Sequence, residues 1–406
     1  MSLVFARNPQ YEFELLRVMG QTSYGAAEIG ECLATARRVV EGDDDSWHRE
    51  WTATAEWVLA RGEIALAGGH RVSARDAFLR AANYFRTSEF FLHGDPHDPR
   101  IRAAAARGVE AFRAAATLFA PPVEVLEIPY EGVTLPGYYF PCGADEPRPT
   151  VIVHNGFDGT GEEIWSFLGR AGKERGYHVL AFEGPGQGQV IRELGLPFRP
   201  DWEHVVGPVL DLAAARPDVR ADRIGLVGIS MGGVLAPRAA AFDGRIAAVV
   251  AFDGVYDMAT VPLDYVLHTP PAEREAVRAR LRAADDPELD ALIEQRIAED
   301  GTIRWFSEHG RWVMGAPTTR ALYARWADFT VAGGVAEKIT CPVLVVKGEH
   351  DQTLGGQPEQ LFAHLTAPAT LLEFDSRFGG ALHNQVDVLG RAACAIYDWL
   401  DDVLAP

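Results

Sequence analysis

The chain has 406 residues and a formal net charge of −19, with 48% hydrophobic and 23% charged residues. This length is sufficient for one large domain with a buried core and a smaller domain beside it. The strong negative charge argues against nucleic acid or an anionic membrane surface as the main partner. It is explained more simply as a property that keeps the protein soluble.

Targeting signals and metal-binding patterns are not found in the sequence. The first residues, MSLVFARNPQYEF, lack the basic segment and the following apolar segment of a secretory signal. No run of roughly eighteen apolar residues could form a membrane-spanning helix. The cysteines, Cys32, Cys142, Cys341 and Cys394, are far apart and follow no metal-ligand spacing. We therefore expect a reduced, cytoplasmic protein with no disulfide framework, metal or cofactor.

The first 120 residues show helical periodicity throughout. In two segments the larger side chains fall on one helical face: Trp47, Trp51, Val58 and Leu59, then Phe78, Ala82, Phe85 and Phe90. An alanine-rich helix follows and stops at Pro121-Pro122. Because no 34-residue period recurs, the pattern does not indicate a helical repeat array. We predict an all-helical N-terminal domain over residues 1–120.

Residues 121–406 alternate between short apolar runs and helical patterns. The first two runs predict an antiparallel hairpin that turns at Glu131-Gly132. Later runs that predict strands are PTVIVHN, YHVLAFEG, RIGLVGIS, IAAVVAFDG, CPVLVVKG and TLLEFD. This alternation is typical of a mainly parallel sheet that is covered by helices on both faces. A charged helical stretch at 257–335 has no strand partner and is predicted to be a lid over the carboxyl edge of the sheet.

One short stretch, IGLVGISMGG at residues 224–233, indicates a nucleophile. A strand precedes Ser230 and a helical pattern follows it, with Gly228 and Gly232 on either side. This is the strand–turn–helix context of a nucleophile elbow, in which the glycines let two backbone segments approach closely. A Gly-x-Ser-x-Gly pattern also arises by chance, but the strand before and the helix after it favour the elbow.

A serine nucleophile needs a base, and the base needs an acid that orients it. In this type of fold the acid and the histidine follow late strands, in the chain order serine, acid, histidine. Asp351 follows CPVLVVKG, and His383 lies in a glycine-rich loop before the last helix. Glu349 and Asp375 are fallback acids in less suitable positions. Most of the other histidines, His309 and His364 among them, are predicted to be ordinary surface or helix residues.

An oxyanion requires two donors, and the sequence suggests both. The backbone N–H of Met231, directly after the nucleophile, is one. The N–H of Phe157, in the HNGFDGTGEE loop after an early strand, is the natural second donor. The other glycine-rich segment, FEGPGQGQ at 182–189, lacks the pattern of a phosphate loop and is predicted to be a structural turn.

Several motifs together resemble one group of proteins: HNGFDGTGEE, FEGPGQGQ, GISMGG, CPVLVVKGEHD and ALHN, together with AANYFRTSEFFL in the helical region. They look like the α/β-hydrolases related to 2,6-dihydroxypseudooxynicotine hydrolase, a group that includes fungal polyketide-shortening pigment hydrolases and FrsA-like proteins. The resemblance covers essentially the whole chain. The triad motifs alone fit any α/β-hydrolase, whereas the helical N-terminal region joined to FEGPGQGQ narrows the group. The implied fold is the α/β-hydrolase fold.

Characterised members of this group cleave carbon–carbon bonds in β-dicarbonyl or acyl-arene substrates. The resemblance therefore implies hydrolysis of a carbon–carbon bond next to a ketone, in an aromatic or polyketide-like small molecule. An esterase or a peptidase with the same triad is the first alternative. A non-catalytic binding or regulatory protein on this scaffold is a weaker one, because all three triad residues are present. Homodimerisation is left open.

Carbon–carbon cleavage also requires a proton for the carbon leaving group. His383 could supply it, or an acid in the pocket such as Asp158, Asp253 or Asp257, although aspartates at such positions more often cap turns. The aromatic side chains around Tyr84 could close over a planar substrate, although ordinary helix packing explains most of them.

Overall fold

The computed structural model describes residues 3–405. The predicted domain boundaries also include residues 1, 2 and 406, which lie outside the described residues. The α-helices of the N-terminal region are α1 (Pro9–Gly20), α2 (Ile29–Ala36), α3 (Asp44–Ala67), α4 (Arg71–Glu89) and α5 (Pro99–Ala116). Asn8, Asp43 and Asp98 cap α1, α3 and α5 by accepting a hydrogen bond from a backbone N–H of the first turn.

The sheet has eight strands in the order β1-β2-β4-β3-β5-β6-β7-β8. Their bounds are β1 (Glu124–Tyr130), β2 (Val133–Phe140), β3 (Arg148–His154), β4 (His178–Phe182), β5 (Val219–Ile229), β6 (Ile246–Phe252), β7 (Val343–Gly348) and β8 (Ala369–Phe374). β1 and β2 form the predicted antiparallel hairpin, and β2 also pairs antiparallel with β4. All other neighbours are parallel, so their carboxyl ends meet at one edge.

Helices cover both faces of the sheet, as predicted from the alternating pattern. They are α6 (Arg170–Glu174), α7 (Glu203–Ala214), α8 (Gly232–Ala240), α13 (Gln357–His364) and α14 (Leu389–Leu404). Between β6 and β7 the chain forms α9 (Arg274–Arg282), α10 (Pro287–Glu299), α11 (Gly301–Val313) and α12 (Thr319–Trp326). These four helices lie within the predicted lid insertion, and the role of this segment as a lid stays a prediction.

The N-terminal helices share a hydrophobic core with the sheet. Val151 and Val153 of β3 point to the face that is packed by α14 and by the aromatic side chains of α3 and α4. Ile152, between them, points to the opposite face, which is packed by α7, α8 and the insertion. The region is therefore attached through a continuous core, and whether residues 1–120 fold as a separate domain stays a prediction. No helix between residues 3 and 405 is long and apolar enough to span a membrane.

Candidate active site

Ser230 lies at a sharp turn between β5 and α8. Its backbone is in the left-handed region, with φ of 61°, which is strained for a residue with a side chain. Gly228 permits this turn, because a Cβ there would collide with the carbonyl of Gly232. The turn lifts the Ser230 hydroxyl out of the sheet and into a cleft at its carboxyl edge.

Three predicted residues from distant parts of the chain meet at this turn. The Nε2 atom of His383 lies 2.8 Å from the Oγ atom of Ser230. The Nδ1 atom of the same imidazole lies 2.6 Å from Oδ2 of Asp351. Oδ1 of Asp351 accepts hydrogen bonds of 3.0 Å from the backbone N–H groups of Thr353 and Leu354. An unbroken path of hydrogen bonds thus runs from a buried carboxylate to the serine hydroxyl.

The electrostatic setting of this path favours a positively charged imidazole. Burial favours the neutral ring, but the carboxylates of Asp351 and Asp253 outweigh it and raise the pKa of His383 to about 10. Burial also acts to raise the pKa of Asp351, but His383 and the two backbone N–H groups outweigh it and hold that pKa below its usual value. Asp351 is therefore ionised and compensated by the ring.

The fallback acids are placed elsewhere. Glu349 accepts a hydrogen bond of 2.6 Å from the N–H of Ser376, and Asp375 accepts one of 3.0 Å from the N–H of Arg377. Both are exposed and act as turn caps. Neither side chain is among the described partners of His383.

The two predicted oxyanion donors lie beside Ser230. Phe157 and Met231 line the cleft together with it. Within residues 3–405, neither backbone N–H donates to a protein acceptor. A Cβ on Gly156 would lie 2.5 Å from the nitrogen of Met231, so the two loops approach as closely as a glycine allows. Two free donors next to a serine hydroxyl are what a tetrahedral oxyanion requires.

A cleft of about 450 Å³ opens above Ser230. Helix α1 forms one wall, and the ring of Phe13 lies 6.5 Å from the imidazole of His383. Helix α11 forms another wall through Trp305 and Phe306, and Phe306 stacks on Phe157 at 4.7 Å. Apolar side chains thus enclose the serine from two sides. Phe13 was not predicted from the sequence, because helical spacing does not show which part of a helix faces a cleft.

The predicted pocket residues differ in where they lie relative to the cleft. Asp158 lines the cleft and pairs with Arg17 of α1 at 3.1 Å. The pKa of Asp158 lies below its usual value. Burial by itself would raise this pKa, but the positive charge of Arg17 outweighs the effect of burial. Asp253 is fully buried behind His383, on the side away from the cleft.

Asp257 and Tyr84 also lie outside the set of residues that line the cleft. Asp257 does not line the cleft, because its carboxylate pairs with Arg278 at 2.5 Å and caps the N–H of Ala259. Tyr84 lies in the helical core with no exposed surface, and its hydroxyl donates to Glu31 over 2.7 Å. Both side chains satisfy local partners instead of facing a substrate.

His309 is a helix residue, which is one of the two placements predicted for it. It lies on α11 but is buried, and its Nε2–H donates to the carbonyl of Phe157 over 2.9 Å. Burial lowers the pKa of His309 to about 3, so the ring is neutral at ordinary pH. The insertion is thereby fastened to the loop that carries the proposed oxyanion donor. His364 is exposed and pairs with Glu337 at 2.9 Å, as expected of a surface residue.

Within residues 3–405, only Asp253, Asp351 and His383 bring three side chains that could bind a metal together, with ligand atoms within 4.8 Å of one another. The hydrogen bond between His383 and Asp351 already accounts for this cluster. It is the arrangement of a charge-supported histidine rather than of a separate metal site.

The fold and the turn at Ser230 can be compared with those of known protein families. Residues 150–380 match the alpha/beta hydrolase family. The 20-hydroxy-prefusarin hydrolase FUS2 of Gibberella moniliformis is 36% identical, covering 100% of this chain and 99% of that protein. The alpha/beta hydrolase psoB of Aspergillus fumigatus is 42% identical, covering 97% and 93%. The chain therefore belongs to the alpha/beta hydrolase family and is a hydrolase.

Solved structures agree on the fold. The structure of 2,6-dihydroxy-pseudo-oxynicotine hydrolase superposes with a TM-score of 0.73 at 24% identity, covering 95% of both chains. That of AbyA5 gives a TM-score of 0.62 at 17% identity, covering 96% of this chain and 99% of that one. Since both likenesses extend over nearly the full length, the helical N-terminal region is part of the shared architecture. The predicted fold class and family resemblance are confirmed.

Proposed function

We propose that the protein is a serine hydrolase in which Ser230 is the nucleophile, His383 the general base and Asp351 the orienting acid. The observation that carries this proposal is the unbroken path from Asp351 through His383 to the Ser230 hydroxyl at the floor of the cleft. His383 takes the proton as Ser230 Oγ attacks a carbonyl carbon. The N–H groups of Phe157 and Met231 then hold the oxyanion.

The bond broken is a carbon–carbon bond next to a ketone in an aromatic or polyketide-like small molecule. The apolar walls formed by Phe13, Trp305 and Phe306 support a large, flat, uncharged substrate. The resemblance to hydrolases that cleave such bonds supports the same chemistry. Two proteins compared above, by name, act on 20-hydroxy-prefusarin and on 2,6-dihydroxy-pseudo-oxynicotine.

The proposed reaction passes through an ester of Ser230. Collapse of the tetrahedral intermediate restores the carbonyl as a Ser230 ester and releases the second carbon as an enolate or arene carbanion. The imidazolium of His383 donates its proton to that carbon. Water, deprotonated by His383, then hydrolyses the ester to a carboxylic acid. Asp158 is unsuited to be the proton donor, since Arg17 keeps it ionised.

A substrate panel tests the proposal. We expect higher kcat/KM for 1-aryl-1,3-diketones than for nitrophenyl esters of similar size. Turnover in H₂¹⁸O should label the new carboxylate. Ser230→Ala should lower kcat by about 10⁴ to 10⁶ for both substrate types while leaving the fold intact.

Two results would contradict parts of the proposal. Ester turnover without diketone cleavage would identify an esterase with the same triad and would refute the carbon–carbon assignment. More than a few per cent of activity in purified Ser230→Ala would refute the nucleophile itself.

A further inference from the structure

Asp253, the residue directly after β6, lies behind the imidazole of His383 and is completely buried. Its Oδ2 atom is 3.3 Å from Nδ1 of His383. The same oxygen accepts the backbone N–H of Asn384 over 2.7 Å, and Oδ1 accepts the side-chain Nε2–H of Gln385 over 3.1 Å. This carboxylate thus contacts three consecutive residues of the loop that carries the proposed base.

The ring of His383 therefore faces two carboxylates, although one is enough to orient it. A buried carboxylate without a partner is strongly destabilising, and two adjacent ones also repel each other. Among the described residues 3–405, two amide groups donate to Asp253, from Asn384 and Gln385. The arrangement becomes favourable when the imidazole carries a positive charge, which it does while it holds the proton of Ser230. Groups that stabilise a charge formed during the reaction contribute to catalysis.

We propose that Asp253 is a positioning residue for His383: it anchors the loop that carries the imidazole and supports the imidazolium alongside Asp351. This inference rests on the proposed triad. It assigns Asp253 a role behind the base instead of one in the substrate pocket. It also makes Asp253 a reserve acceptor for the Nδ1–H when Asp351 is absent, which keeps the ring in the productive tautomer.

The charged surroundings of His383 agree with this role. On the cleft side Asp158 is paired with Arg17, so their charges largely cancel. Other titratable groups that line the cleft are Glu12 and Glu14 of α1, Tyr265 of the insertion and His350. None of these is within the ion-pair distance of His383 that Asp253 and Asp351 reach. The two aspartates therefore dominate the field at the ring.

The first test is the pH dependence of kcat/KM for a nitrophenyl ester in Asp253→Asn. A nearby carboxylate raises the pKa of an imidazole, and the base must be neutral, so wild-type activity rises with pH through that pKa. Removing one carboxylate charge should move the acid limb about 1 to 3 pH units lower. It should also lower kcat on the plateau by about tenfold or more, with little change in KM.

Gln385→Met is the matched control. It removes one hydrogen bond to Asp253 and keeps the side-chain volume and the negative charge. A purely structural anchor would give the same profile in both variants. We expect the acid limb to stay in place in Gln385→Met and to move only in Asp253→Asn. An unmoved limb in a folded Asp253→Asn protein overturns the proposal.

The second test removes both acids. Loss of the triad acid alone costs about 10⁴ in a serine protease. If Asp253 acts as a reserve acceptor, Asp351→Asn should lower kcat by clearly less than this factor. The double variant Asp351→Asn/Asp253→Asn should approach the full loss of kcat. If Asp351→Asn alone reaches the full loss and the second substitution adds nothing, Asp253 is not a reserve acid. Ser230→Ala, assayed in parallel, separates these outcomes from failure of the triad itself.

Discussion

Replacing Arg17 by methionine should destabilise the protein strongly, although the residue is far from Ser230 in the chain. Arg17 lies on α1 and is 7% exposed. Its guanidinium donates to Glu163 over 3.1 and 2.9 Å, to Asp158 over 3.1 Å and to Glu14 over 3.4 Å. It therefore joins a wall of the cleft to the loop that follows Phe157. Methionine keeps much of the volume and removes the charge.

The expected loss in the free energy of unfolding depends on the partners that Glu163 and Asp158 keep in the variant. Removing one partner of a buried ion pair costs about 3 to 5 kcal/mol, because the other charge is left uncompensated. Glu163 keeps hydrogen bonds from Gln21 and from the N–H of Thr160, each 3.2 Å long, and an ion pair with Arg86 at 3.5 Å. The side chain of Asp158 is 24% exposed and can be hydrated. We therefore expect Arg17→Met to lower the free energy of unfolding by about 3 kcal/mol, the lower end of this range.

The assay is urea unfolding at pH 7, followed by circular dichroism, with free energies from linear extrapolation. Arg7→Met is the control, since the side chain of Arg7 is 84% exposed and pairs with Glu41. Exposed ion pairs contribute about 0 to 1 kcal/mol, so this variant should differ little from wild type. If Arg17→Met costs no more than Arg7→Met, the argument from burial is refuted.

The difference in the free energy of unfolding between Arg17→Met and the wild type should also depend on pH. Arg17 lowers the pKa of Asp158 in the folded protein. A carboxyl with a lowered folded pKa contributes stability above its unfolded pKa of about 3.9, and this stability is lost as the pH falls through the folded pKa. The variant lacks this contribution at every pH. The difference should therefore be largest near pH 7 and narrow below about pH 4, and a constant difference would contradict this assignment.

Two further substitutions test the walls of the cleft. His309→Phe keeps an aromatic ring stacked on Trp305 but removes the donor to the Phe157 carbonyl, so kcat should fall by about tenfold with KM unchanged. Ser307→Ala, on the same helix as His309, loses only a hydrogen bond to Tyr323 of α12 and should leave kcat unaltered. Phe13→Ala should raise KM for an aryl diketone by roughly tenfold and leave a small ester unaffected; equal effects on both substrates would show that Phe13 does not contact the larger one.

The sequence by itself determined the features that depend on neighbours along the chain. The turn at Ser230 needs only a strand, flanking glycines and a helix, all within residues 224–233. Asp351 and His383 were predictable because each follows a late strand. Parallel strands bring their carboxyl ends to one edge, so chain order alone placed these side chains near the serine.

Tertiary packing alone decided which side chains reach the cleft. Tyr84 on α4 is completely buried in the helical core, whereas Phe13 on α1 is only partly buried and lies beside the imidazole. Helical periodicity identifies a buried face without showing what covers it. Asp253 and Asp351 both follow strands, and their distances from Nδ1 of His383 differ by less than 1 Å. Such differences arise from how β6, β7 and the His383 loop pack together, and no local pattern encodes them.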